Sequence, residues 1–268
     1  YCRFVGLRDG WIPGPLIREC EADYKPMTKG QNGEIFICGA DLGRVKGGDN
    51  SAFCIGQIIP NIGVRVVRMV TLNGVSIDQQ RLILGQLLKD FNVIKLVMDN
   101  EKLGYALKDA FERPVIDPRD NTVLPPIVAE DNYEVKDALK IIIPVNFAKK
   151  DDIWQRAWLT KKGMQDKILY FPKDYYRIHI NLHEMKAIDE SEREIIEMCQ
   201  EIAQLKKEMS NMKLKSNETN TSYTLVPDSA GKMKDDRFYS MILMASTAIE
   251  YYKELNEDKG DFCIGYTG

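Results

Sequence analysis

The sequence contains no apolar run of the roughly 18 residues that a membrane-spanning helix needs, and 29% of its 268 residues are charged. With 44% hydrophobic residues, it has the composition of an ordinary water-soluble protein, with no membrane partner expected. The two histidines, His179 and His183, lie in RIHINLHEM without an HExxH arrangement. That segment reads as strand or loop, so no zinc site is expected there. The six cysteines, Cys2, Cys20, Cys38, Cys54, Cys199 and Cys263, include no CxxC pair, which argues against zinc and dithiol redox chemistry. Cys38 and Cys54 sit in apolar runs, where buried free thiols are common, and a reducing intracellular setting is expected.

Two further absences narrow the function. No GxxxxGK[ST] phosphate loop occurs, so this chain cannot itself be a P-loop motor. Nor is there an excess of basic charge: 37 Lys and Arg against 40 Asp and Glu give a net charge of −3. Nucleic-acid binders more often carry a strongly basic domain. Overall charge does not decide the matter, because acids at a metal site add to the count and the basic residues are locally dense. Lys149, Lys150, Arg156, Lys161, Lys162, Lys167 and Lys173 form one group, and Lys206, Lys207, Lys213 and Lys215 a second. Their bland reading is solvated side chains on helix faces.

What the chain does have is a repeated device, an apolar run that meets an acid. It occurs in FICGADLGRVKGGDNSAF at 36–53, in VIKLVMDNEKLGYALKDAF at 93–111, and in GKMKDDRFYSMILMASTA at 231–248. EIFICGAD reads as a buried strand. SAFCIGQII and GVRVVRMVTL, joined by the turn PNIG, extend it into an antiparallel meander. Residues 76–91 follow as a helix with Ser76 as its N-cap, then VIKLVMD as another buried strand. Three strands, a helix, a strand and a helix are the opening of a ribonuclease H-like α/β fold, a mixed β-sheet flanked by helices. That order places Asp41 and Asp99 on neighbouring strands.

The rest of the chain divides less sharply. Residues 1–33 read as a lead-in, with a helix expected from Leu16 to Ala22. The proline-rich stretch about 113–148 reads as an insertion that turns strand-like at LKIIIPV. A helix over 150–163 and a strand KILYF return to the core. Ile188, Ile195, Ile202 and Met209 share one heptad position, and Met198, Leu205 and Met212 the other, which predicts a long amphipathic helix over 186–214 packed on its own domain. A small β excursion is expected at NETNTSYTLVP. The last helix, 235–256, buries Phe238, Met241, Ile242, Ala245, Ala248, Ile249 and Tyr252.

Each acid has a plain structural role to set beside a chemical one. Asp41 ends a strand buried on both faces, where a charged side chain caps, pairs or binds metal. Asp99 repeats the arrangement, although an acid at a helix start is often only a cap. Asp49 follows two glycines and serves equally as a turn residue or as a reach toward the same site. Asp235 and Asp236 open the last helix, and one cap does not account for both. A hard divalent cation is usually held by one or two carboxylates with waters and substrate phosphates. Two such ions about 3.5–4 Å apart clamp both oxygens of a phosphodiester displacement.

On GADLGRVKGGDNSAF, LVMDNEKLGYALKDAF and LKKEMSNMK followed by PDSAGKMKDDRFYSMILMA, the chain resembles the nuclease domain of the large terminase subunit of tailed bacteriophages. The resemblance covers roughly 35–256. It implies a metal-dependent endonuclease that cuts double-stranded viral DNA during genome packaging, with Mg2+ or Mn2+, two ions in all, as cofactor. Carried over, Asp41, Asp99 and Asp236 are the catalytic, metal-binding triad, with Asp235 as the other choice for the third ligand and Asp49 auxiliary. Lys232, Lys234, Arg44 and Lys46 are the DNA-binding candidates. Residues 1–33 then lead in from an upstream ATPase domain and 34–268 form the nuclease. The chain opens at Tyr1 in YCRFVG and reads as the interior of a longer sequence. Portal and small terminase subunit are the further expected partners, and the host cytoplasm the expected location. The alternatives are a Holliday junction resolvase or transposase of the same fold, an actin-like ATPase, or a non-catalytic interaction domain.

Overall fold

The computed structural model describes residues 10–43, 50–99, 105–174, 186, 188–216, 223–228 and 235–257. Its centre is an eight-stranded mixed sheet. β2 (Ile35–Asp41), β3 (Asn50–Ile59) and β4 (Gly63–Asn73) form the expected meander, turned at Asn61 and Gly63, both at positive φ. β5 (Val93–Asp99), β9 (Leu139–Val145) and β8 (Ile127–Ala129) continue the sheet in parallel with β2. On the far side β10 (Leu169–Pro172) runs parallel to β4, and β1 (Glu21–Ala22) parallel to β10.

Much of the segment read as an insertion therefore belongs to the central sheet, since β8 and β9 are two of its strands. Only the small hairpin of β6 (Val115–Ile116) and β7 (Val123–Leu124) stands apart from it. The lead-in is equally committed to the core. Ile12, Ile17 and Cys20 are fully buried, and α1 spans Gly14–Glu19, earlier than the expected Leu16–Ala22.

The central strands are apolar on both faces because both are covered. In β2, Ile37 packs into one core while Phe36, Cys38 and Ala40 pack into the other. In β5, Val97 likewise opposes Leu96 and Met98, as the two-residue period of a strand requires. One face carries α2 (Ile77–Phe91), which starts with a capping box between Ser76 and Gln79 and ends at left-handed Asn92. α3 (Tyr105–Phe111) follows beside it. Arg81 of α2 is fully buried and donates to the carbonyl oxygens of Pro125 at 2.5 Å and Arg113 at 3.4 Å, which ties the helix to the 113–125 segment.

The other face carries α4 (Lys150–Gln165), α5 (Glu190–Asn211) and α6 (Asp236–Glu257). α5 is shorter than the predicted 186–214 helix, because Met212 opens a hairpin of β11 (Met212–Ser216) and β12 (Tyr223–Pro227). Of the predicted heptad positions, Met198, Ile202, Leu205, Met209 and Met212 are buried and Ile195 is only partly covered, while Ile196 and Cys199 widen the stripe. Lys206, counted among the basic residues of the surface, is 2% exposed. Its ammonium donates to Glu21 at 2.6 Å, Pro172 O at 2.7 Å and Asp174 at 2.9 Å, clamping α5 to the β1–β10 edge.

α6 lies across β2 and β3 and is itself covered by α4. All residues from Ser240 to Ile249 are buried, as is Phe238. Two glycines permit the approach: a β-carbon at Gly39 would overlap the carbonyl oxygen of Ser240, and one at Gly56 the sulfur of Met244. Gly39→Val is expected to lower stability by about 1–3 kcal/mol through overpacking, read as a reduced urea midpoint. An unchanged midpoint would contradict this packing.

Candidate active site

Strand pairing performs the first step of assembly. Ala40 of β2 aligns with Met98 of the parallel β5, so the next residue on each strand, Asp41 and Asp99, ends it at the same edge of the sheet. β9 extends the row, with Val145 beside Asp99. Ligands of α/β sheets gather at such carboxyl ends of parallel strands. Asp41 is 3% exposed and Asp99 4%. At that depth an ionised carboxylate loses most of its hydration, which hydrogen bonds or countercharge must replace.

The start of α6 comes to this edge because the helix crosses β2. Asp235 immediately precedes the helix, and its carbonyl accepts the Tyr239 amide at 3.0 Å. The Tyr239 hydroxyl donates to Leu225 O of the hairpin at 3.2 Å. Burial pushes that hydroxyl's pKa well above the phenol range, and the negative charges of Asp235 and Asp41 push it further. One tyrosine thus feels an acid from the strand end and an acid from the helix start. The charge of Asp236 bears instead on Glu208.

Three residues that sequence reasoning did not single out hold the helix start in place. Glu208 of α5 accepts from the Phe238 amide at 3.2 Å, so a carboxylate from a neighbouring helix satisfies a first-turn donor. Its other oxygen accepts from Arg237 at 2.7 Å, and Arg237 reaches on to Glu201 at 2.9 Å, which also accepts from Thr71 of β4 at 2.8 Å. Burial raises the Glu208 carboxyl to about 7 against the opposing pull of Arg237. The available signal was Glu208 itself, an acid three residues from Leu205 on the apolar stripe of its helix. A second latch sits beside Asp41. The Gly43 amide donates to Ser51 Oγ at 2.9 Å, Ser51 donates to Gln80 at 2.8 Å, and Gln80 returns to Gly43 O at 3.4 Å.

Of the predicted site residues, Asp41 and Asp99 stand at one sheet edge, with the helix start that carries Asp235 and Asp236 packed against that sheet. Asp49, Arg44, Lys46, Lys232 and Lys234 lie outside the described residues, as do His179 and His183. Among the described residues, no three Asp, Glu, His or Cys side chains form a ready-made cation cage. The donor set still suits a hard cation, because two buried carboxylates at adjacent strand ends are the oxygen ligands that Mg2+-type sites use, completed by water and phosphate.

The architecture is a ribonuclease H-like mixed α/β fold, and solved structures make the likeness specific. The large terminase nuclease of the thermophilic phage G20c with bound magnesium superposes with a TM-score of 0.57 at 14% identity, covering 90% of this chain and 98% of that one. The Thermus phage P74-26 large terminase nuclease domain gives 0.51 at 14% identity, covering 86% and 92%. The HK97 bacteriophage large terminase gives 0.51 at 9% identity, with 89% of this chain matched to 43% of that longer one. The chain therefore has the fold of large terminase nuclease domains. No protein-family model and no curated protein sequence matches it.

Arg237→Ala strands two carboxylates, Glu201 and the buried Glu208. It is expected to cost about 1–3 kcal/mol, the range for leaving a buried polar group unpaired. Urea unfolding of this variant against Arg237→Lys checks it, and equal stability of wild type and Arg237→Ala would show that the cluster does not secure the helix.

Proposed function

We propose that this chain is the nuclease domain of a phage large terminase subunit, a metal-dependent endonuclease acting on double-stranded DNA. The observation that carries the reading is the pair of buried carboxylates, Asp41 and Asp99, at adjacent strand ends on a sheet crossed by the helix that begins at Asp235 and Asp236. The magnesium seen in the G20c nuclease and the terminase names of the fold neighbours support it.

Asp41 and Asp99 would hold the cation from the sheet and one of the tandem acids from the helix. The sequence favours Asp236 as the third ligand, with Asp235, one residue ahead of it, as the other choice. Bound metal would supply Lewis-acid chemistry, activation of the attacking water and stabilisation of charge on the departing 3′ oxygen. The chain's own part is positioning: the strands set the spacing of two acids, and the Glu208–Arg237–Glu201 cluster fixes the start of the third element. Asp49 would be auxiliary. Lys232, Lys234, Arg44 and Lys46 would supply phosphate contacts, which give sequence-independent, salt-sensitive affinity. In the full subunit an ATPase domain would precede this one, with the portal and small subunit as partners in the infected cell's cytoplasm.

Plasmid cleavage with Mg2+ or Mn2+ tests the proposal. Linear products are expected, abolished by EDTA and by Asp41→Ala, with Asp236→Asn lowering the rate at least about a hundredfold, on the scale of a lost transition-state contact. Asp235→Asn should cost less; the reverse order would move the third ligand to Asp235. Cutting of four-way junctions in preference to linear duplex would replace the terminase reading with a resolvase.

A further inference from the structure

The groove between the start of α4, the β11–β12 hairpin and α6 is lined by Phe147, Trp154, Tyr223 and Tyr239, with Lys150 among its walls, and encloses about 150 Å³. The Trp154 and Tyr223 rings stack with centroids 5.5 Å apart and planes 27° apart, and Phe147 and Tyr239 lie at 5.6 Å. Tyr223 is 39% exposed, so its side of the stack opens to solvent, while Trp154 packs inward against Trp11 at 4.6 Å.

The groove is joined to the candidate active site along two elements. Tyr239 lies one helical turn beyond Asp235, whose carbonyl accepts its amide at 3.0 Å. Phe147 lies two residues beyond Val145, the strand partner of Asp99. A nucleic-acid strand with a phosphate at Asp41 and Asp99 would carry its adjacent base past these rings. Lys150 in the wall and the exposed Lys215, opposite Thr224 on the hairpin, suit the neighbouring phosphates.

We propose that this aromatic groove is a stacking site for a nucleobase of a DNA strand unpaired next to the point of cleavage. The inference rests on the nuclease reading and adds a subsite to it. A paired base is covered by its neighbours in the duplex, whereas an unpaired one offers a free π-face to an aromatic wall. Such stacking tolerates any base and contributes strongly to single-strand affinity. The groove therefore favours DNA with a frayed or single-stranded end over intact duplex.

The test is fluorescence anisotropy, in Ca2+, with labelled duplexes that carry a short single-stranded overhang, either with bases or with abasic sugars. The base-bearing overhang is expected to bind about tenfold to a hundredfold tighter, with quenching of tryptophan emission. Tyr223→Ala should erase that difference and Tyr223→Phe should keep it, with circular dichroism of both matching wild type to show that the fold is intact. Equal binding of the two overhangs, with plasmid cleavage intact, would overturn the stacking site and leave the nuclease standing. A difference that survives Tyr223→Ala would also overturn it. Failure to bind either duplex or to cut plasmid would overturn both readings together.

Discussion

The close approach of α6 to β2 and β3 is the constraint on which the rest of the structure depends. Gly39 and Gly56 leave no room for a β-carbon beneath Ser240 and Met244. From Ser240 to Ile249 the helix is therefore free of charge around its whole circumference, since α4 covers what the sheet does not. Each fully buried Met, Ile or Leu side chain is worth about 1.5–3 kcal/mol relative to exposure. Arg156 fastens the outer side, donating to Ser246 at 2.9 Å and Thr247 at 3.2 Å. A helix gripped in this way has little freedom to slide, and its first turn is set by the sheet.

Rigid packing alone does not place a carboxylate, and the polar cluster at the helix start supplies the rest. Glu208 takes the place of a capping side chain, Arg237 neutralises it, and Glu201 with Thr71 ties the group back to β4. Burial of Glu208 is costly, as its raised carboxyl pKa shows. A well-packed apolar set at this position would be as stable or more so. The cost is understandable if what matters is where Asp235 and Asp236 stand.

The central fold was legible because its signals are local. Strand runs such as EIFICGAD and VIKLVMD, the Ser76 cap and the apolar face of the last helix all follow from short-range period and turn chemistry, and the structure has each of them. The segment about 113–148 was harder to read. Proline and polar residues mask β8, and LKIIIPV declares a strand without saying which neighbour it pairs with, a matter of long-range contact. The buried Lys206 and Glu208 were hidden for a related reason: a charge on a helix looks solvated until its partners, distant in sequence, are known. The acids at 41 and 99 were visible as strand ends, but their alignment depends on the parallel register of β2 and β5.

The proposed nuclease chemistry requires that Asp41, Asp99 and the start of α6 form one cation site. Anomalous diffraction from a crystal soaked in Mn2+ tests this most directly. A peak bridging Asp41 and Asp99, within coordination distance of Asp235 or Asp236, is the predicted result. Manganese bound elsewhere, with no density between Asp41 and Asp99, would contradict it.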